Sequence, residues 1–189
     1  MQLVRRRFTV EDYYTMQRAG ILSEDDRVEL IEGEIVEKAP IGSLHAACVN
    51  HVDELFTERL GRRCQVRVQN PLHLSDHSEP EPDIALVGRR ADLYVAAHPG
   101  PADALLVVEV SDTTLEYDRQ VKALLYARAG VAELWIVNLP ERMVEVHREP
   151  SARGYLVVRR ALPGQAIAPL AFPEVSFTVD DLVLAGAPS

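Results

Sequence analysis

Two apolar runs that each carry one carboxylate set the tightest limit on how this chain can fold. Glu81-Pro82-Asp83-Ile84-Ala85-Leu86-Val87 and Ala104-Leu105-Leu106-Val107-Val108-Glu109-Val110 both read as buried strands. A charge in such a setting is costly unless something pairs with it, and a divalent metal ion is one such partner. A lysine, Lys122, follows on what reads as the next helix.

Around these runs the chain alternates helical and extended segments. Phe8-Thr9-Val10-Glu11-Asp12-Tyr13 carries helix-start grammar: Thr9 as N-cap, Asp12 as N3 acceptor, Phe8 and Tyr13 as a staple, and Gly20 as the stop. Arg27–Lys38 reads as a hairpin turning at Glu32-Gly33. Ser43 caps a helix to about Leu60, with Ala47, Cys48, His51, Val52, Leu55 and Phe56 as its apolar stripe. Strands are expected over 63–69, 83–87 and 104–110, then a helix from Asp118 to Ala129 stopped by Gly130. In that helix Val121, Leu124 and Leu125 form the expected packing stripe, and Tyr126 reads as a core aromatic. A strand over Glu133–Val137, a second hairpin from Met143–Arg148 and Tyr155–Arg160, and a short helix opened by Thr178 complete the order αββαβββαβββα. The expectation is an α/β fold, a mixed sheet flanked by helices with hairpin additions near both ends, over residues 1–189 as one domain.

Composition narrows the function classes. The net charge of -9 and pI near 5.1 argue against strong non-specific DNA binding, which needs a basic footprint. Local arginine groups such as Arg62-Arg63 and Arg159-Arg160 leave room for a groove, though scattered groups usually mark solvated surface. Cys48 and Cys64 show no disulfide or zinc spacing, and no apolar segment follows the basic N-terminus. A cytoplasmic protein with no membrane span is expected.

Phosphodiester hydrolysis needs charge neutralised at the phosphate and a positioned water. Carboxylates on adjacent strands holding one or two magnesium ions do both. Asp83 and Glu109 have that chemistry, and Lys122 could hold or deprotonate the water. Each residue alone has an ordinary structural explanation; their order strengthens the reading. His73 and His77 lack a third ligand for zinc.

The chain resembles the Uma-two family of "putative restriction endonucleases" within the PD-(D/E)xK nuclease superfamily. The resemblance rests on Val28–Val36, His45, Pro82-Asp83-Ile84, Val108-Glu109-Val110-Ser111, Tyr117–Lys122 and Tyr126–Val137. It implies a restriction-endonuclease-like core, a magnesium-dependent site that could also use manganese, and DNA as substrate. Asp83 and Glu109 match the superfamily's acids. Ser111 stands where its lysine usually lies, which makes Lys122 the replacement. Glu29 is the first candidate for an early glutamate and Glu34 the second. His45 and Ser111 count as possible accessories, and a homodimer is expected. Two alternatives stay open: a nuclease-fold binding or assembly module that does not cut, and a phosphohydrolase acting on small nucleotides.

Overall fold

A computed structural model describes residues 5–23 and 25–184. Met1 to Val4, part of the segment that bears on a secretory leader, lie outside the described residues. Helix α1 (Val10–Arg18) opens with the expected capping box between Thr9 and Asp12 and closes before Gly20, whose φ is +71°. Strands β1 (Val28–Ile31) and β2 (Glu34–Glu37) form a separate antiparallel hairpin. Its two turn residues both have positive φ, 48° at Glu32 and 80° at Gly33, as a type I′ turn requires.

Helix α2 (Ser43–Leu60) starts one residue earlier than a Ser43 cap would place it, with Gly42 at the N-cap. Strands β3 (Cys64–Val68), β4 (Ile84–Gly88) and β5 (Ala104–Ser111) follow. The next helical segment comprises α3 (Leu115–Tyr117), a π-helical turn (Asp118–Lys122) and α4 (Ala123–Ala129), and Gly130 ends it at φ 87°. Then come β6 (Glu133–Asn138), β7 (Met143–Ser151) and β8 (Gly154–Ala161). Two short strands, β9 (Ala166–Ile167) and β10 (Phe177–Thr178), pair before α5 (Val179–Leu182).

The main sheet has the order β3-β4-β5-β6-β7-β8. Only β5 and β6 run parallel, because the helical segment between them is a crossover. The second hairpin extends this sheet to its edge instead of standing apart from it.

Strand β5 shows how the layers form. Leu106, Val108 and Val110 face α2, in a core with Phe56, Trp135 and Phe177. Leu106 and Val108 are fully buried, each stabilising the fold by about 2 kcal/mol. Phe56, Trp135 and Phe177 meet edge to face, with centroids 5.1–6.3 Å apart. The alternate residues Val107, Glu109 and Ser111 fall on the opposite pleat, where Val107 packs with Tyr126 and Ile136. Among the described residues no helix is long and apolar enough to cross a membrane.

Candidate active site

The pleat that carries Glu109 and Ser111 faces a helix with polar residues at matching heights. Asp118, Lys122 and Tyr126 recur every four residues, and all three are buried. In the π turn the Ala123 amide bonds to the Asp118 carbonyl, five residues back. The wider turn brings side chains four apart closer to one line. Val121, expected in the packing stripe, is instead 37% exposed, because the polar face is the one turned inward.

Each of these three meets β5. Ser111 donates its hydroxyl to Asp118 Oδ2 at 2.7 Å, and Thr114 donates to the same oxygen at 2.7 Å. Lys122 Nζ lies 3.2 Å from Glu109 Oε1, and the Tyr126 hydroxyl donates to that oxygen at 2.6 Å. From β1, Glu29 brings Oε2 within 3.4 Å of Lys122 Nζ and accepts the Glu81 amide at 3.1 Å. The hairpin is held there by loop contacts: Glu79 donates its amide to the Leu30 carbonyl, and Gly33 to the His77 carbonyl.

Asp83 arrives just before β4. Its Oδ2 accepts the Val110 amide at 2.9 Å and lies 3.1 Å from His45 Nε2, near the start of α2. Among the described residues its Oδ1 meets only Gln69 Nε2, at 3.4 Å. The Asp83 amide points to Glu109 Oε2, also at 3.4 Å. Asp83, Glu109, Lys122, Glu29, His45 and Asp118 therefore line one cavity of about 420 Å³. Glu34 does not: it sits at the exposed tip of the first hairpin, 3.4 Å from Arg5. Ser111 is buried and engaged with Asp118, and it is absent from the cavity wall.

The charges in this cavity do not balance. Acidic side chains outnumber Arg27, Lys38 and Lys122 along the wall, and Lys38 is already paired with Glu81 at 2.8 Å. Burial pushes the Glu109 carboxyl up to about 8, with Lys122 opposing the shift and Asp83 adding to it. Burial also raises Asp118, partly offset by Lys122. Desolvation works against the Lys122 ammonium, but Glu109, Glu29, Asp118 and Asp83 outweigh it and hold Lys122 charged. For Asp83, burial is outweighed by the His45 hydrogen bond and charge, so its carboxyl stays low. The same contact with Asp83 raises His45.

Other buried acids of the fold are satisfied differently. Glu133 takes the Trp135 indole, the Arg148 guanidinium and the Leu170 amide. Glu145 is gripped by Arg119. By contrast, Glu109 shares one lysine with Glu29 and keeps Oε2 free of any short bond.

The donor set fits a hard divalent cation. Asp83 Oδ1 and Glu109 Oε2 are carboxylate oxygens whose contacts among the described residues are long, and a cation would offset the burial and the Asp83 charge that raise Glu109. Among the described residues no three or more His, Cys, Asp or Glu side chains are grouped so as to hold a metal ion by themselves. An open site completed by water and phosphate is what magnesium accepts.

Sequence reasoning passed over Asp118 as a helix start and Tyr126 as core. The signal available for both was spacing: polar residues at i, i+4 and i+8 on a helix after a strand with polar residues at i and i+2.

The fold is shared with a crystal structure titled as "a putative nuclease belonging to DUF820 from Anabaena variabilis ATCC 29413". That match has a TM-score of 0.70 at 17% identity, and covers 93% of this chain and 97% of the other. At that identity the likeness shows a common architecture, a six-stranded mixed sheet flanked by helices. Comparison with curated proteins returns no match. At the level of sequence, the Uma2 model, described as "Putative restriction endonuclease", matches residues 10–180, and the chain belongs to that family.

Proposed function

We propose that this protein is a magnesium-dependent endodeoxyribonuclease that hydrolyses phosphodiester bonds of DNA, with manganese as a substitute ion. The observation that carries the reading is the buried Lys122 ammonium, 3.2 Å from Glu109 and 3.4 Å from Glu29, in the same cavity as Asp83. Asp83 and Glu109 are the residues to hold the ion, through Oδ1 and Oε2. When bound, the ion supplies Lewis-acid polarisation and a more acidic water.

The protein's own groups have separable roles. Lys122 is held charged by its acidic neighbours, so it serves as a hydrogen-bond donor and cation for the phosphate or the attacking water, not as a base. Glu29 anchors Lys122 from β1. His45 orients Asp83, and the buried Ser111 fixes Asp118, leaving Lys122 to fill the lysine's role. The test is cleavage of DNA with magnesium or manganese by wild type and Glu109→Ala; equal rates would sink the assignment.

The reading takes residues 1–189 as one domain working as a cytoplasmic homodimer. The free, buried Cys48 and Cys64 suit a reducing compartment. Support for the dimer is the edge strand β8, where Leu156 is 70%, Val157 41% and Val158 52% exposed. Light scattering after gel filtration checks it: a single species of 21.0 kDa would overturn the dimer.

A further inference from the structure

We infer that Tyr126 is a positioning residue for the metal-ligating face of Glu109, an inference that rests on the metal-site reading above. The relevant geometry is the division of labour between the two carboxylate oxygens of Glu109. Oε1 receives both strong donors, the Tyr126 hydroxyl at 2.6 Å and the Lys122 ammonium at 3.2 Å. Among the described residues Oε2 receives only the Asp83 amide, at 3.4 Å. Rotation of the carboxylate would exchange these surroundings, and Tyr126 is the donor best placed to prevent it.

Lys122 cannot do this alone. Its ammonium is shared with Glu29 and flexes on a long side chain, whereas the phenol swings on only two torsions. Tyr126 is also fully buried, wedged with Val107, Val131 and Ile136 on the same side of the sheet. Its ring is thus locked by apolar packing while its one polar atom meets Glu109. That is the arrangement of an outer partner that fixes a ligand, whose loss typically costs 10–100-fold in metal affinity.

The experiment is calorimetric titration of manganese into the metal-free full chain, comparing wild type with Tyr126→Phe. A control, Tyr155→Phe, removes another largely buried phenol, which donates to the Val131 carbonyl at 2.9 Å away from the cavity. The expected result is at least about tenfold weaker binding for Tyr126→Phe, with Tyr155→Phe unchanged. Equal affinity in wild type and Tyr126→Phe overturns the inference and leaves the metal site standing. Absence of manganese binding by wild type overturns the metal site, and this inference with it.

Should Tyr126→Phe fail to fold, a magnesium titration of Tyr117→Phe followed by tyrosine difference absorbance carries the test. That background removes the one tyrosine on the cavity wall. A saturable signal is expected from the phenol bonded to Glu109. Calorimetric binding without a tyrosine signal would overturn the positioning role.

Discussion

Lys122 Nζ lies 3.2 Å from Glu109 Oε1, and both side chains are less than a tenth exposed. The pair joins the helical segment to the central strand by charge where apolar packing would be expected. Removing the lysine leaves Glu29 and Glu109 facing each other without a cation. Lys122→Met should lower DNA cleavage by at least about 100-fold. The variant should also lose stability more steeply as pH rises, because acids with raised folded-state pKa values favour the folded state only while protonated. Thermal melts of both proteins in chelator from pH 6 to 8 check this; parallel curves would count against it.

Divalent ions should stabilise the folded chain through Asp83 and Glu109. At about 100 times Kd, magnesium or manganese is expected to add about 2.7 kcal/mol. For a protein of this size that is about 5–10 °C in Tm. Chelation should reverse the gain, and Glu109→Gln should abolish it. A Glu109→Gln protein that still gains the full shift would locate the ion elsewhere.

Glu145 should make the protein acid-sensitive. Burial would raise its carboxyl, but the His147 ring 3.4 Å away and the Arg119 guanidinium outweigh burial and bring it down to about 2. A lowered carboxylate stabilises the fold above the unfolded value of 4.5, and the contribution is lost as pH falls from there towards 2. Its full size is on the order of 3 kcal/mol. Urea titrations of wild type and Glu145→Gln should differ at pH 6 and converge near pH 2; a constant difference would refute this.

Gly33 links the first hairpin to the site. Its φ of +80° disfavours any side chain, and an added Cβ would stand 2.5 Å from the Arg7 Cβ. Gly33→Ala should cost about 2 kcal/mol and lower Tm by about 4–8 °C. Since the hairpin presents Glu29 to Lys122, cleavage should fall as well. An unchanged melting temperature would show that the turn relaxes freely.

Much of the fold was legible because its signals are local. The capping boxes at Thr9 and Thr178 and the stops at Gly20 and Gly130 are written in adjacent residues. The continuous apolar run of β5 marked a buried strand and showed Glu109 as an anomaly within it. The π turn was not legible, since its residues are ordinary helix formers and the extra residue is accommodated by contacts with β5. Nor were β9 and β10, two residues each, short enough that pairing alone defines them.

Asp83, Glu109 and Lys122 could be nominated from the chain's linear order, because a bare charge against an apolar run is visible without a structure. Which other residues join them depended on the packing of distant segments. Glu29 and Glu34 lie five residues apart on one hairpin; its docking against the 72–82 loop brings the first to Lys122 and leaves the second in solvent. Asp118 and Tyr126 became part of the site only when their helix laid its polar stripe on Glu109 and Ser111. Side-chain chemistry and short-range periodicity are properties of neighbours along the chain. The convergence of carboxylates on one ammonium comes from strand order and helix docking, which long-range burial alone decides.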